Sequence, residues 1–366
     1  MLILSPGPAN ISERVRGKLT MPDIGHRDKE FRQLLKDCRE LLLKVCGAPE
    51  GYTSVVVNGS GTAAIEAVIT ALRGGVNGVL IVANGTYGDR AAEIAEIYEV
   101  PHDKLDFGWT RPLDLAEVEA RVRDTTHDTV YLVHHETTTG ILNPLQEVAA
   151  IAKRHGKRLL VDAVSSVCGE TLDLAGWGID LIIGSANKCI RGVPGASFVV
   201  VTDALADELG KRERVAYYND LVSYIEKEQS GETPFTPPVQ VLYAFREALL
   251  ELSEEGVQER IAHYRRISST LRDQLADLEL QLLLPRELYS STMTSVLLPE
   301  GRSFEDLHGS LREMGYLIYK GQGYLADRVF RLGTVGVMSK SDILGFSGAL
   351  REVLKLPAAA APPSRA

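Results

Sequence analysis

Residues 180–195 read Asp180-Leu-Ile-Ile-Gly-Ser-Ala-Asn-Lys188-Cys-Ile-Arg-Gly-Val-Pro-Gly195. The apolar run predicts a buried strand, and the Ser, Asn and Gly residues after it predict a turn that contains Lys188. A second apolar run, Arg158-Leu-Leu-Val-Asp162, ends in an acidic residue. Open α/β sheets bind their ligands beyond the carboxyl ends of the strands. We therefore expect Lys188 and Asp162 to lie together in a binding site.

A lysine beside a buried carboxylate is the pair that a pyridoxal 5'-phosphate (PLP) site requires. The lysine amine forms a Schiff base with the cofactor aldehyde, and the carboxylate keeps the pyridine nitrogen protonated so that the ring accepts electrons. Taken alone, Asp162 is read as a cap of the following helix and Lys188 as a surface lysine. Their occurrence together, downstream of a glycine-rich loop, favours the cofactor site.

Short apolar runs alternate with helical patterns in the larger, N-terminal part of the chain. This alternation is typical of an α/β protein with a largely parallel sheet covered on both faces. The predicted strands are Thr53–Val57, Val79–Ala83, Thr129–His134, Leu159–Asp162, Leu181–Ile183 and Ser197–Val201. The predicted helices are Thr62–Leu72, Asp89–Tyr98, Leu115–Arg123 and Leu145–His155.

The pattern changes after Pro237-Pro238, where two long helical stretches precede mixed strands and helices. This change predicts a second, smaller α+β domain. Its predicted elements are Val239–Leu252, a helix from Gly256 to about Leu278, Met293–Leu298, Phe304–Met314, Tyr316–Tyr319, Val329–Leu332 and Lys340–Leu354. The tail at 357–366 is rich in Ala and Pro, which predicts disorder.

The loop Asn58-Gly-Ser-Gly-Thr62 follows a predicted strand and opens a predicted helix. Backbone N–H groups and the helix dipole make such a loop a good anion site. The loop also fits the loose dinucleotide pattern, which expects an acidic residue at the end of the next strand. That strand ends at Asn84-Gly85 instead. We therefore favour a cofactor phosphate over NAD, with a plain tight turn as the alternative.

Two further loops follow predicted strands and carry polar side chains. Tyr87 lies in the first of them, where its ring is placed either to stack on the pyridine or simply to pack. The second, His134-His-Glu-Thr-Thr-Thr-Gly140, suggests a metal site, but no third ligand stands at a workable spacing. We therefore predict no metal, and we expect a threonine hydroxyl to contact the cofactor ring oxygen.

Composition limits the class of partner and the compartment. The chain has 366 residues, 45% hydrophobic and 24% charged, which is enough for one large and one smaller globular domain. A net charge of -9 gives no electrostatic reason to expect nucleic acid or an anionic membrane as partner. The four cysteines lack zinc spacing and disulfide density. The first residues lack the basic start and apolar stretch of a signal peptide, so we expect a cytoplasmic protein with reduced thiols.

At this point the chain resembles a known family, the class V aminotransferases of PLP fold type I, over nearly its whole length. The strings that carry the resemblance are Ser5-Pro-Gly-Pro8, Gly51-Tyr-Thr-Ser-Val55, Asn58-Gly-Ser-Gly61, Asn84-Gly-Thr-Tyr-Gly88, His135-Glu-Thr-Thr-Thr-Gly-Ile-Leu-Asn-Pro144, Val161-Asp-Ala-Val-Ser-Ser166, 185–195 and Phe330-Arg-Leu-Gly-Thr-Val-Gly336. The Glu-Thr-Thr-Thr-Gly and Ser-Ala-Asn-Lys-Cys-Ile strings are most similar to the branch that transaminates 2-aminoethylphosphonate with pyruvate.

The resemblance implies a role for each candidate residue. Lys188 would bond the cofactor and act as acid and base, and Asp162 would hold the ring nitrogen. The other cofactor contacts it implies are Ser60, Gly61, Thr62, Tyr87, Thr137 and, from the second subunit of a homodimer, Thr236. Arg331 would bind the substrate carboxylate, a task that suits the planar guanidinium fork. Without the resemblance, the preferred interpretation of Arg331 is a surface arginine that closes a strand.

The resemblance also implies the architecture, a large domain with a mostly parallel seven-stranded sheet and a smaller C-terminal α+β domain. We therefore expect the large domain at 15–245 and the small domain at 1–14 and 246–356.

One segment departs from the 2-aminoethylphosphonate branch. Pro22-Asp-Ile-Gly-His-Arg27-Asp-Lys-Glu-Phe31 is more similar to the glyoxylate-using relatives, so an alanine:glyoxylate or serine:glyoxylate aminotransferase is the first alternative. Arg27 and Arg90 are candidate phosphonate ligands or, equally, members of structural ion pairs. A cysteine desulfurase needs a late nucleophilic cysteine, and none follows Cys189. A non-enzymatic PLP-binding protein is the remaining alternative.

Overall fold

The computed structural model describes residues 1–73, 77–212 and 214–356. The strands within these ranges are β1 (Leu2–Ile3), β2 (Tyr52–Asn58), β3 (Val79–Ala83), β4 (His102–Asp106), β5 (Thr129–Val133), β6 (His135–Glu136), β7 (Ile141–Leu142), β8 (Arg158–Asp162), β9 (Leu181–Ser185), β10 (Ala196–Thr202), β11 (Met293–Leu297), β12 (Tyr316–Leu317), β13 (Tyr319–Lys320) and β14 (Val329–Gly333). The predicted tail at 357–366 lies outside the described residues.

The α-helices pack around these strands, and three short 3-10 turns connect some of them. The helices are α1 (Glu13–Gly17), α2 (Lys29–Val45), α3 (Gly61–Ala71), α4 (Thr86–Ile97), α5 (Leu115–Asp124), α6 (Leu145–Arg154), α7 (Leu174–Trp177), α8 (Asp203–Leu209), α9 (Leu221–Gln229), α10 (Val239–Glu255), α11 (Val257–Asp277), α12 (Phe304–Glu313) and α13 (Lys340–Leu354). The 3-10 turns are Lys18–Thr20, Arg286–Leu288 and Gly323–Leu325. Among the helices of the described ranges, none combines the length and the apolar character that crossing a lipid bilayer demands.

The central sheet has seven strands in the order β2-β10-β9-β8-β5-β3-β4. Its strands pair in parallel except β10, which is antiparallel to both of its neighbours. This arrangement confirms the predicted α/β class and the mostly parallel seven-stranded sheet. Parallel strands need long crossovers, and the helices that make them cover both faces.

Apolar side chains alternate between the two faces of the sheet, as the two-residue period of a strand requires. In β10, Phe198 and Val200 belong to the core beneath α2, α5, α6 and α10, whereas Val199 and Val201 belong to the core beneath α3, α4, α8 and α9. In β8, Leu160 belongs to the second core and Val161 to the first. The same period places Asp162 on the face that carries α3 and α4.

The sequence pattern identified six of the seven sheet strands and missed β4. Its sequence, His102-Asp-Lys-Leu-Asp106, lacks a continuous apolar run because β4 pairs only with β3 and forms an edge of the sheet. The pattern also missed α2, although its apolar face is buried against the sheet. The single strand predicted at 316–319 is wrong, because β12 pairs with β1 whereas β13 pairs with β14.

A third apolar core lies apart from the two faces of the central sheet. It combines side chains of β11 and β14 with those of α11, α12 and α13, and it includes Leu4 from the N-terminus. The parallel pairing of β1 with β12 also joins the N-terminus to this C-terminal part. Both observations support a small domain that combines the two ends of the chain. The boundary at 245/246 divides α10, however, and Ala248, Leu249 and Leu252 beyond it belong to the first core. The division into 15–245 against 1–14 with 246–356 remains a proposal.

Candidate active site

Loops that follow β2, β3, β5, β8 and β9 meet at the carboxyl-terminal edge of the sheet. A Cβ atom at Gly61 would lie 2.9 Å from both methyl groups of Val164, so the glycine loop packs directly on the segment after Asp162. Asn84 and Asn143 exchange amide hydrogen bonds of 2.8 and 3.0 Å, which join the loop after β3 to the end of the hairpin β6–β7 that follows β5. The structure therefore brings the predicted loops together at one site.

Lys188 is half-buried, and its Nζ donates a hydrogen bond of 2.6 Å to the carbonyl oxygen of Pro6. Burial lowers the pKa of Lys188 to about 8, and the positive charge of Arg331 acts in the same direction. The negative charge of Asp162 partly opposes this shift in the pKa. About a fifth of the amine is therefore neutral at pH 7.4, far more than in an exposed lysine, and the neutral amine is the form that acts as nucleophile or base.

Asp162 is buried at the end of β8, where its Oδ1 accepts a hydrogen bond of 2.9 Å from the Val164 N–H. Burial raises the pKa of Asp162 to about 6, against the opposing effects of that hydrogen bond and of the charges on Lys188 and Arg90. Above pH 6 the carboxylate is therefore mostly ionised, which allows it to hold a proton on a neighbouring ring nitrogen.

The N-terminal residues Ser5–Pro8 cover Lys188, a contact that the sequence analysis did not anticipate. Besides the Pro6 carbonyl, Gly7 lies against the lysine side chain, and a Cβ atom at Gly7 would overlap Lys188 Nζ. A Cβ atom at Gly333, on β14, would overlap the Ser5 backbone. The only sequence signal was the Ser-Pro-Gly-Pro string itself, to which no role could be attached.

The glycine loop and Arg90 form a positively polarised corner. Ser60 precedes α3, and its side chain makes no hydrogen bond to the helix end. Arg90 Nη1 donates a hydrogen bond of 3.2 Å to Thr62 Oγ1, and the guanidinium lies 4.9 Å from the centre of the Tyr87 ring. Across the described ranges, no carboxylate lies within ion-pair distance of Arg90. Unpaired positive charge beside a helix N-terminus favours an anion.

Tyr87 and Glu136 meet beside this corner. Tyr87 is half-buried near the start of α4, and its backbone N–H donates a hydrogen bond of 3.1 Å to Glu136 Oε2. Burial raises the pKa of Glu136 to about 7, although its hydrogen bonds from Thr138 and Tyr87 oppose the shift. Sequence reasoning noticed Glu136 only as a possible metal ligand. In the part of the chain that the structure describes, no three His, Cys, Asp or Glu side chains are grouped as a metal site.

Thr137, between β6 and β7, and Arg331, on β14 in the C-terminal part of the chain, lie in contact. Thr137 is buried, and its hydroxyl has no protein hydrogen-bond partner. Arg331 is buried on β14 and donates hydrogen bonds to the carbonyl oxygens of Thr137 (3.0 Å, from Nη1) and Lys320 (2.8 Å, from Nε). Burial lowers the pKa of Arg331. An unsatisfied buried hydroxyl and a buried cation are both features of a site built to receive a polar ligand.

Two predicted site residues, Arg27 and Thr236, are not among the contacts of Lys188, Asp162 or Arg331 within one chain. Both side chains are exposed. They line one cavity of about 470 Å³ together with His26, Lys227 and the segment 232–235. Thr236 also lines a cavity of about 490 Å³ beside Asn58 and Gly59 of the glycine loop. In a single chain the structure therefore groups Arg27 with Thr236, outside the lysine site.

Comparison with known proteins assigns this site to a family. The model of the family described as Aminotransferase class-V matches residues 12–331. The chain belongs to the class-V aminotransferases. This membership, with the sheet topology, confirms the predicted PLP-dependent transferase fold type I, and it makes the protein an aminotransferase.

Relatives of known name align with almost the whole chain. A 2-aminoethylphosphonate–pyruvate transaminase of Syntrophobacter fumaroxidans is 38% identical, over 93% of this chain and 93% of its own. One from Vibrio vulnificus is 37% identical, over 96% of this chain and 97% of its own. The solved structure of an alanine–glyoxylate aminotransferase from Nostoc superimposes with a TM-score of 0.89 at 30% identity, and covers 96% of this chain and 95% of that one.

Proposed function

We propose that this aminotransferase moves the amino group of 2-aminoethylphosphonate to pyruvate, with PLP as cofactor, and releases phosphonoacetaldehyde and alanine. The observation that carries the proposal is the convergence of Lys188 and Asp162 between two cationic groups, Arg90 and Arg331. Relatives that bear the name of this activity, at 38% and 37% identity over more than nine-tenths of the chain, support the substrate pair.

The residues present fit PLP on three observations. The uncommitted Ser60 side chain, the loop of Gly61 and Thr62, and the unpaired Arg90 suit the phosphate. The Thr137 hydroxyl, buried without a protein partner, suits the ring oxygen, and the half-buried Tyr87 ring next to Arg90 suits stacking on the pyridine. When bound, PLP supplies an electrophilic aldehyde carbon and a ring that accepts the electrons of a broken C–H bond.

Lys188 performs the proton transfers in this proposal. Its neutral amine, favoured by burial, would take the proton from the amine-bearing carbon of the substrate at Nζ and would then deliver it to the carbon that carried the cofactor aldehyde. Asp162 stays ionised and holds a proton on the cofactor ring nitrogen, which keeps the ring electron-deficient. The chemistry is reversible, so the same residues serve the second half of the reaction with pyruvate as the acceptor.

Arg331 binds the carboxylate of pyruvate or alanine. Two of its five N–H groups are directed at the carbonyls of Lys320 and Thr137, which fixes the plane of the guanidinium. The remaining donors can form two parallel hydrogen bonds to a carboxylate. Arg90 was a candidate for the substrate phosphonate, but its contact with Thr62 at the glycine loop better supports a role at the cofactor phosphate.

We further propose a homodimer in which Thr236 of one subunit completes the cofactor site of the other. Arg27 lines the same cavity as Thr236, so the same dimer would also bring Arg27 to the active site of the partner subunit. An aromatic cluster beside them supports a contact surface there. Tyr217 and Tyr218 are 81% and 48% exposed, and their rings lie 5.7 and 4.6 Å from the ring of Phe235. Exposed aromatic groups of this kind are enriched in interfaces.

Subunit mixing tests the shared site. A Lys188→Ala chain and a Thr236→Trp chain should each be inactive, and exchange between them should restore about a quarter of wild-type activity, since about half of the dimers are hybrids with one intact site. Each variant mixed with itself is the control. No recovery under subunit exchange that mass spectrometry has verified would exclude the shared site.

A glyoxylate-type aminotransferase is the second candidate function. The string Gly25-His-Arg27 and the 30% identity to the Nostoc enzyme favour it. A desulfurase finds no support, because all four cysteines are buried. Free buried thiols are typical of a reducing compartment, and we accordingly propose that the reaction takes place in the cytoplasm.

A substrate screen separates the two candidates. We expect 2-aminoethylphosphonate to be used faster than β-alanine, because a tetrahedral dianion gains more than a planar carboxylate from the proposed cationic donors, Arg331 and Arg27 of the partner subunit. We also expect pyruvate to be used faster than 2-oxoglutarate, in line with the activity that the relatives are named for. Borohydride reduction of the PLP-loaded protein should label Lys188 in peptide mass mapping. Faster turnover of alanine or serine with glyoxylate would instead support the second candidate.

A further inference from the structure

Helix α4 has no capping side chain of its own. Its N-cap residue is Gly85, which makes no side-chain hydrogen bond, and the first backbone N–H groups of any helix lack partners within the helix. The hairpin of β6 and β7 supplies the missing acceptors. Thr86 N–H donates a hydrogen bond of 2.9 Å to Thr138 Oγ1, and Tyr87 N–H donates one of 3.1 Å to Glu136 Oε2.

The two acceptors are themselves held in place. Thr138 donates hydrogen bonds to Glu136 Oε1 from its hydroxyl (2.5 Å) and from its backbone N–H (3.0 Å). Glu136 and Thr138 are both completely buried. A Cβ atom at Gly85 would overlap the Glu136 side chain, so the glycine provides the space that the carboxylate occupies. This cap is therefore a built feature of the fold.

We propose that Glu136, with Thr138, is a positioning residue that fixes the first turn of α4 and thereby holds the Tyr87 ring where the cofactor stacks. This inference rests on the proposed function of the site and assigns a role to a buried acid that the transamination steps do not use. A carboxylate at a helix N-terminus is also favoured by the helix dipole. Arg90 lies almost a turn further along α4 and keeps its own bond to Thr62, so the cap acts mainly on Tyr87.

The main test measures PLP binding to cofactor-free protein, by fluorescence quenching and by the induced circular dichroism of the bound cofactor. Loss of a helix cap suggests that Glu136→Gln weakens PLP binding by about 2- to 30-fold. The induced dichroism should change as well, because it reports how the ring is held. Glu170→Gln is the matched control, since Glu170 is a buried acid that accepts hydrogen bonds from Ser291 and does not contact α4. Its PLP affinity should stay within about twofold of wild type.

A double-mutant cycle with Tyr87→Ala shows whether the effect of Glu136→Gln on PLP affinity depends on the Tyr87 ring. In the Tyr87→Ala background, Glu136→Gln should change PLP affinity by less than about twofold, because the group that it positions is absent. An equal loss in both backgrounds, or no loss in either, overturns the proposal. Should wild-type protein itself fail to bind PLP, the proposed function fails instead, which keeps the two outcomes distinct.

Thr138 provides a second route if Glu136→Gln does not fold, as judged by far-ultraviolet circular dichroism. Thr138→Val removes the hydroxyl that accepts from Thr86, whereas Thr138→Ser retains it. We expect Thr138→Val to weaken PLP binding and Thr138→Ser to restore it to within about twofold of wild type. Wild-type affinity and dichroism in Thr138→Val would contradict the positioning role.

Discussion

Arg331→Lys is the substitution for which the structure predicts the most specific loss of activity. Arg331 is buried, and its guanidinium directs Nε to the Lys320 carbonyl and Nη1 to the Thr137 carbonyl. One hydrogen on Nη1 and both on Nη2 remain for a substrate carboxylate. A lysine ammonium is a point charge on a flexible stem, and it cannot serve both carbonyls and a carboxylate in this fixed geometry.

The expected cost has two parts. Replacing a bidentate, charge-assisted contact with a weaker one costs about 1.5 to 3 kcal/mol in the transition state, which corresponds to about a 10- to 150-fold drop in kcat/KM. Leaving one buried carbonyl without a donor also lowers the free energy of unfolding by about 1 to 3 kcal/mol. Since the substrate carboxylate is bound before and during the reaction, we expect the KM for pyruvate to rise more than kcat falls.

Steady-state kinetics and urea unfolding of the same preparation measure both parts. Arg272→Lys is the matched control, because Arg272 is another buried arginine that donates to Thr294 Oγ1 and to the carbonyls of Met293 and Ser290. It should lose stability to a similar extent but keep kcat/KM within about threefold of wild type. Unchanged kcat/KM in Arg331→Lys, or an equal fall in Arg272→Lys, would refute the role assigned to Arg331.

Three further predictions concern the lysine, the aspartate and the sheet. The rate of PLP binding to cofactor-free protein should rise with pH around a midpoint near 8. Burial lowers the pKa of Lys188 to about 8, and only the neutral amine attacks the aldehyde. A midpoint near the ordinary lysine value of 10.5 would contradict this prediction. Asp162→Asn should retain PLP but lower single-turnover rates by about 10³-fold or more, which is about 4 kcal/mol of activation free energy. The reason is that an amide cannot keep the ring nitrogen protonated. Near-normal turnover would disprove this role of Asp162. Gly184→Ala should lower the free energy of unfolding, measured by urea titration, by about 1 to 3 kcal/mol. The new Cβ atom would overlap the Phe198 ring on the neighbouring strand. Unchanged stability would show that the ring can move.

Much of the fold was predictable because buried parallel strands leave a strong mark on the chain. Runs such as Val79–Ala83 are apolar at every position, since both faces of the strand are covered by helices. The edge strand β4 lacks such an apolar run. The division of 316–320 between two strands was also not predictable, because pairing with β1 or β14 depends on residues far away in sequence. The roles of Glu136 and the Ser5–Pro8 segment were invisible for the same reason.

The sequence by itself determined the local chemistry, namely a lysine and an aspartate at the ends of two buried strands, a glycine loop before a helix, and the family to which these strings belong. It could do so because strand period, turn residues and reactive groups are properties of neighbouring positions. Only the tertiary structure decided what surrounds those groups. It placed Arg90 at the glycine loop, Arg331 against Thr137, Pro6 over Lys188, and Arg27 beside Thr236 away from the lysine. These contacts join residues that are up to about two hundred positions apart, and the burial they create shifts the pKa values of Lys188 and Asp162.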